Sequence, residues 1–316
     1  MSRRRALRLT ATTLVVLVVG YFFARGLSEN WAAVRSTSIS VNGFSVLAVL
    51  LFAAAVPVSG LLWGHMLGRL GGSRVSIADA VRVQCASWLL KYVPGQVGSI
   101  ANKIAWAASR GVSRTLVVIT FVYENVFLIL GSVVAAGAVL LLSHAFVGLS
   151  DDAVSGLVPV ALALVPLLLL TNRHVFRWCV NLVARKVLKR DVPAEYFLRS
   201  GEAFWYQVAF LVPRVMNGVG FVLVAASFLD VEPGAWVPLA AIYVLAGAAG
   251  ILAFLVPSGI GVRESVIVVL SVRYVPLEQA IILSLLARLY STLADALVAM
   301  IYGALKLRTS KEGSRA

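Results

Sequence analysis

Acidic side chains are scarce here: 14 Asp and Glu stand against 28 Lys and Arg. Charged residues of all kinds make up 13% of the chain, about half the share usual in soluble domains, which excludes a water-facing globular fold. Cysteine is nearly absent too. Cys85 lies in an apolar segment and Cys179 in a basic one, a pattern with neither metal nor disulfide spacing. His65, His144 and His174 are scattered, so no metal site and no cofactor is expected. No Ser or Cys nucleophile has a base at a plausible spacing, which argues against an enzyme. A G-x-x-x-x-G-K-[ST] loop is missing as well, so ATP is not the expected energy source.

What fills the chain instead is oil. Hydrophobic residues reach 60% of 316 positions and mean hydropathy is +0.92. Apolar runs near 6–26, 44–64, 115–142, 154–171, 203–229, 236–256 and 278–305 each approach or exceed the roughly 20 helical residues that cross a bilayer. The expected fold is an all-α integral membrane protein, a single polytopic domain over 1–316. The opening MSRRRALR and its apolar run lack a convincing small-x-small cleavage site, so they read as a retained first helix. A net charge of +14 invites nucleic acid, but the basic residues flank the spans, where positive-inside bias puts them. No nucleic-acid partner is expected.

Loop charge sets the orientation. The N-terminus, the 65–82 loop, the 172–200 segment and the tail KLRTSKEGSRA are basic, whereas 143–153 carries Asp151 and Asp152, and 230–234 carries Asp230 and Glu232. We expect the basic set, with both termini, on the cytoplasmic side of a cell inner (plasma) membrane. Within 173–191, Phe176, Val180, Val183 and Val187 alternate with Arg and Lys. This suits either an amphipathic helix on the inner leaflet or an ordinary basic loop.

Two apolar stretches are broken. LLKYVPGQVGSIANK (89–103) contains Pro94, Gly95 and Gly98, and LVPSGIGVRES (255–265) contains Pro257, Gly259 and Gly261. If 84–110 crossed once, the basic loops would fall on opposite sides; a re-entrant hairpin restores their agreement. Irregular backbone at membrane depth requires cover by protein or by a water-filled cavity. Setting Pro257 on Pro94 is an offset of 163 that also aligns Gly261 with Gly98 and Val256 with Val93. An odd number of crossings separates the motifs, so the second hairpin enters from the other face. The expected architecture is about six spanning helices plus two opposed re-entrant helical hairpins in an inverted repeat, with halves of about 44–142 and 203–305. The alternative is that both breaks are loops between ordinary spans, since 236–256 is long enough to cross alone.

Half-helices that start at such turns aim unsatisfied N–H groups and a positive dipole end at the membrane interior, a setting for a lipid phosphate. Around the first break we expect a substrate-binding set of Lys91, Tyr92, Pro94, Gly95, Gln96, Gly98, Asn102 and Lys103; around the second, Pro257, Ser258, Gly259, Gly261, Arg263 and Glu264. Arg263 and Glu264 suit binding and mutual pairing equally. Glu124, Asn125, Arg214, Asn217, Arg288 and Asp295 complete the set, because a charge inside a span costs about 3 kcal/mol and normally marks a pathway or a pair. Arg214, just after Pro213 near mid-span, is the strongest single signal. Under the offset Asn125 maps to Arg288, which leads us to expect a Glu124–Arg288 pair. Asp295 has Ser291 and Thr292 as nearby hydroxyl partners.

KYVPGQVGS, the helix containing YEN, FLVPSGIGVRESVIVVLS and LLARLYSTLADALVAMIYG together resemble the transmembrane, flippase-type region of the lysylphosphatidylglycerol synthase family, from about Phe44 to Gly303. Asn125 and Ser258 depart from the pattern, standing where Arg and Gly are common. No aminoacyl transferase domain follows in this sequence, so the resemblance implies a solo member and lipid translocation rather than lysyl transfer. The leading reading is a flippase for an anionic phospholipid, a glycolipid or a polyprenyl-phosphate-linked lipid, with membrane lipids as its partners. A transporter of a small soluble solute, or a non-transporting partner of a lipid-modifying glycosyltransferase, are the alternatives. Homo-oligomers and a lipid-modifying enzyme are compatible further partners.

Overall fold

A computed structural model describes residues 41–72, 74–92, 97–143, 172–253, 259 and 261–313. The expected spans 6–26 and 154–171 lie outside the described residues. Among those described, every regular element is a helix. We number them α1 (Gly43–Gly71), α2 (Ile77–Leu89), α3 (Val97–Ser109), α4 (Arg114–Leu142), α5 (Arg173–Leu188), α6 (Ser200–Ala209), α7 (Leu211–Ala226), α8 (Pro233–Leu252), α9 (Val262–Ser271) and α10 (Leu277–Gly313).

Five segments are long and apolar enough to cross a membrane: Gly43–Gly71, Arg114–Leu142, Ala194–Ala226, Pro233–Leu252 and Leu277–Leu307. The protein is an all-α integral membrane protein. The other helices are short. At 13 residues each, α2 and α3 are about 20 Å long, and α9 is shorter still, well under the ~30 Å of a hydrocarbon core. Pro233–Leu252, expected from the sequence to form one arm of a hairpin, has by itself the length to span.

Local chemistry explains the helix ends. Asn42 caps α1 by accepting from the Ser45 N–H at 3.1 Å, and Gly72 closes it in the left-handed region at φ 68°, where glycine meets no steric penalty. Pro233 opens α8 at a position where a missing N–H costs nothing. Pro213 lacks the N–H that would reach Ala209, and that is where α6 gives way to α7.

Small residues let α1 and α2 approach closely. A Cβ on Gly64 would lie 2.5 Å from that of Ala80, and one on Gly60 would lie 2.7 Å from that of Gln84. Gly60 and Gly64 are four residues apart, as are Ala80 and Gln84, so a small-xxx-small face of α1 receives one turn of α2. The helices form two buried cores. One stacks Phe52, Tyr243 and Phe221 from α1, α8 and α7, with ring centroids at 5.4 and 4.7 Å. The other gathers Trp63, Tyr123, Phe127, Phe176, Phe197 and Phe210.

That second core takes up α5. Phe176 stacks on Tyr123 at 4.1 Å and packs edge-on to Phe197, so the stripe begun by Phe176 and Val180 seats on protein instead of on lipid. Trp178 and Leu182 are left exposed. The side chains of Val183 and Val187 lie outside the described residues. From the last turn of α5, Arg185 donates two hydrogen bonds to Asp191, which hold that exposed carboxyl below the usual aspartate range.

Helix ends repeat along the chain. Leu89 ends α2 and Leu252 ends α8; Arg114 begins α4 and Leu277 begins α10. Both intervals equal the offset of 163 found between the proline motifs. Packing is exchanged as well, with α4 against α8 and α10 against α2.

Candidate functional site

Between these helices lies a cavity of about 190 Å³. Eight of the expected residues line it: Lys91, Lys103, Glu124, Asn125, Arg214, Asn217, Arg263 and Asp295. Residues from Lys91 to Asp295 therefore converge on one polar space inside an apolar bundle. Pro94, Gly95, Gln96, Pro257 and Ser258 lie outside the described residues, as does the side chain of Tyr92.

The buried end of the cavity is an ion pair. Lys103 and Glu124 are 1% and 3% exposed, and the Lys103 ammonium donates to Glu124 Oε2. Gln84 Nε2 donates to the other carboxylate oxygen at 2.7 Å. The ammonium also sits 4.3 Å from the centroid of the Trp63 ring, whose indole N–H is held by Thr120 at 3.2 Å. Two charges removed from water demand this degree of satisfaction, because either one alone is costly. Glu124 thus pairs with Lys103 from the neighbouring helix α3, not with Arg288 as the repeat alignment suggests. The reason is proximity: α3 packs directly on α4.

A second pair closes the tip of α2. Lys91 donates to Asp295 at 2.8 Å, Trp88 Nε1 donates to the same oxygen at 2.7 Å, and the Lys91 ammonium lies 4.2 Å from the Trp88 ring centroid. Ser291 and Thr292, the expected partners of Asp295, donate to the Arg288 carbonyl instead. Arg288 approaches Glu264 at 3.8 Å, and Glu264 accepts from the Gly261 N–H at 2.7 Å, capping α9. Arg263 does not pair with its neighbour Glu264. Its guanidinium lies 4.3 Å from the Tyr243 ring centroid, in cation–π contact.

The remaining expected residues support the walls. Asn102 Nδ2 donates to the Val83 carbonyl at 3.2 Å and to Ser87 Oγ at 3.0 Å. Ser87 and Ser99 exchange hydroxyl-to-carbonyl bonds at 3.2 and 2.5 Å. Gly98 lies in the first turn of α3 beside this clasp. Gly259 and Gly261 have φ of 66° and 84°, values that strain any residue with a Cβ. At Gly259 that Cβ would also lie 2.6 Å from Gly250 Cα, so the turn passes backbone to backbone across the end of α8.

Residues 7–299 match the family described as the lysylphosphatidylglycerol synthase TM region. The chain belongs to this family. No individually curated protein matches it. Both interrupted segments and every cavity-lining residue of this lysylphosphatidylglycerol synthase TM-region protein fall inside the matched range.

In this family member the charges around the cavity do not cancel. Lys103, Lys91 and Arg288 have carboxylates in Glu124, Asp295 and Glu264. Among the described residues, Arg214 and Arg263 have none. Arg214 stands on α7, held against α8 so closely that a Cβ on Gly247 would lie 3.2 Å from its Nη1. Its Nε and Nη2 are buried with no hydrogen-bond acceptor among the described residues. Donors of this kind, unanswered in an apolar bundle, suit an anion.

Sequence reasoning missed Gln84, Ser87, Trp88 and Ser99, and also Tyr243. One signal was present: Gln84, Ser87, Trp88 and Lys91 recur at i, i+3, i+4 and i+7, one face running from α2 into the turn that follows it. Tyr243 carried no such signal, because its role depends on Arg263 arriving from another helix.

Proposed function

We propose that the protein moves a lipid with an anionic headgroup between membrane leaflets, the headgroup passing through the cavity while its tails remain in the bilayer. One observation carries this reading: the Arg214 guanidinium is buried against the cavity with two nitrogens unanswered among the described residues. Arg263, its charge opposed by no carboxylate among the described residues, supplies the second positive group. The cavity is smaller than the ~300–1,000 Å³ of pockets that enclose whole drug-sized ligands, which favours a headgroup over an entire lipid.

Membership of the lysylphosphatidylglycerol synthase TM-region family supports the reading, as do the matched helix ends at an interval of 163. In it, α2 with α3 and α8 with α9 act as opposed re-entrant pairs around an inverted repeat, the arrangement that places transporter sites near the midplane. Movement is downhill or coupled to a gradient. An unneutralised phosphate feels the membrane potential at about 2.3 kcal/mol per charge per 100 mV.

The test is a leaflet-exposure assay in proteoliposomes with acyl-labelled phosphatidylglycerol, a neutral lipid and a polyprenyl-phosphate sugar. The expected result is protein-dependent crossing of a phosphate-bearing lipid that falls at least about tenfold in Arg214→Ala, as loss of a charged hydrogen-bond partner implies, with partial retention in Arg214→Lys. Absence of crossing at rest, under a proton gradient and under an imposed potential would overturn translocation. A soluble-solute transporter would then be the better reading.

A further inference from the structure

Among the described residues, Arg214 is joined at the cavity by a second unanswered group. Gln84 is 7% exposed, lines the same space, and its Oε1 is buried without a donor among the described residues. The amide orientation is decided by its neighbour. An ionised carboxylate only accepts, so the Gln84 NH₂ must face Glu124, at 2.7 Å, and the oxygen must face away. Gly60 of α1 packs against the stem of the same side chain, so closely that a Cβ there would lie 2.7 Å from Gln84 Cβ.

Among the described residues, the cavity lining therefore holds unpartnered donors on Arg214 and an unpartnered acceptor on Gln84. We infer that Gln84 is a specificity residue that reads a hydroxyl on the headgroup, so that the preferred ligand is a phosphate ester of a polyol or sugar. This inference rests on the translocation reading for its transport readout. A bare phosphate would leave the Gln84 oxygen desolvated, and each unmet buried polar group is penalised. An ammonium headgroup also offers a donor but fits the charge less well. The nearby carboxylates of Glu124 and Asp295 are already engaged by Lys103 and Lys91, and Arg214 and Arg263 repel added positive charge.

Wild-type protein tests this without any substitution. Acyl-labelled phosphatidylglycerol and phosphatidylmethanol carry the same charge and differ in headgroup hydroxyls; phosphatidylethanolamine replaces hydroxyl with ammonium; a polyprenyl-phosphate sugar presents hydroxyls on another tail. We expect phosphatidylglycerol or the sugar lipid to cross roughly three- to tenfold faster than phosphatidylmethanol, the range that one hydrogen bond allows, and faster than phosphatidylethanolamine. In Gln84→Met that ratio should fall toward unity even though loss of the amide donor at Glu124 lowers both rates, and a ratio that persists would overturn the role of Gln84. Which hydroxyl lipid leads identifies the source.

Equal crossing of hydroxyl lipids and phosphatidylmethanol, with both dependent on Arg214, would overturn the role of Gln84 and leave translocation standing. Crossing led by phosphatidylethanolamine would overturn the hydroxyl preference. Where no lipid crosses, translocation is what fails, and binding decides the headgroup question. In detergent, a larger Tm rise with dihexanoyl phosphatidylglycerol than with dihexanoyl phosphatidylmethanol supports the inference, and equal rises overturn it.

Discussion

In the first interrupted pair, α2 and α3 are joined by side chains: Ser87, Ser99 and Asn102 exchange hydrogen bonds across the gap, and Lys91 reaches Asp295 beyond it. In the second, α8 and α9 meet through the Arg263–Tyr243 cation–π contact and backbone to backbone. Gly259 crosses Gly250 with no room for a Cβ, and Glu264 caps the turn at Gly261. Both pairs are tied to α10, through Asp295 in one case and Arg288 in the other. Those two residues are seven apart, so they lie two turns apart on one face. The two pairs are therefore held differently: by directional hydrogen bonds and an ion pair in the first, and in the second by a cation–π contact together with close packing that depends on glycine.

The comparison can be broken most severely at Lys103. Lys103→Met leaves the Glu124 carboxylate buried with only Gln84 as a donor, and should cost about 3–5 kcal/mol, read as a lowered Tm in detergent. The double variant Lys103→Met with Glu124→Leu should recover more than half of the loss, since removing both charges also removes the desolvation problem. Failure of that recovery would show that Lys103 matters for packing rather than charge.

Gly259→Ala comes next and should damage the second pair selectively. A left-handed φ and a 2.6 Å approach to Gly250 Cα together imply about 3 kcal/mol. Hydrogen exchange should quicken in 250–265 and hold steady in 77–109.

Asp295→Asn should cost about 2 kcal/mol by weakening a charge-assisted bond. Its signature is the reverse: faster exchange at the end of α2 with 259–271 unchanged. Ser99→Ala is the mildest of the four, at about 1 kcal/mol, because Ser87 retains Asn102 as a donor to its hydroxyl. If Ser99→Ala proved as disruptive as Gly259→Ala, the contrast between the two pairs would not hold.

Much of the site is legible in the chain's polar pattern. Charges within apolar runs are expensive, so Lys91, Lys103, Glu124, Arg214, Arg263 and Asp295 stand out as residues needing a shared polar environment, and all six line the cavity. The 163-residue offset between proline motifs also reappears in the ends of α2, α4, α8 and α10. Partner choice is not legible in the same way. Glu124 and Arg288 fall one position apart under the alignment, yet Lys103 and Glu264 are the groups that helix packing brings to them. Asn102, expected as a binding residue, is a clasp inside the first pair. Asn125 and Asn217 line the cavity but give their amide N–H groups to carbonyls one turn back on their own helices.

The sequence by itself determined the solvent: a chain so poor in charge and so rich in apolar runs must be helical in lipid, where each backbone group is satisfied within its own segment. It also determined which residues had to avoid that lipid. Only the tertiary structure decided which of them neutralise one another and which remain available, leaving Arg214 and the Gln84 oxygen unanswered among the described residues. The physical reason is that the hydrophobic pattern specifies helices and faces at long range, whereas a hydrogen bond or ion pair depends on ångström-scale distances between helices far apart in the chain.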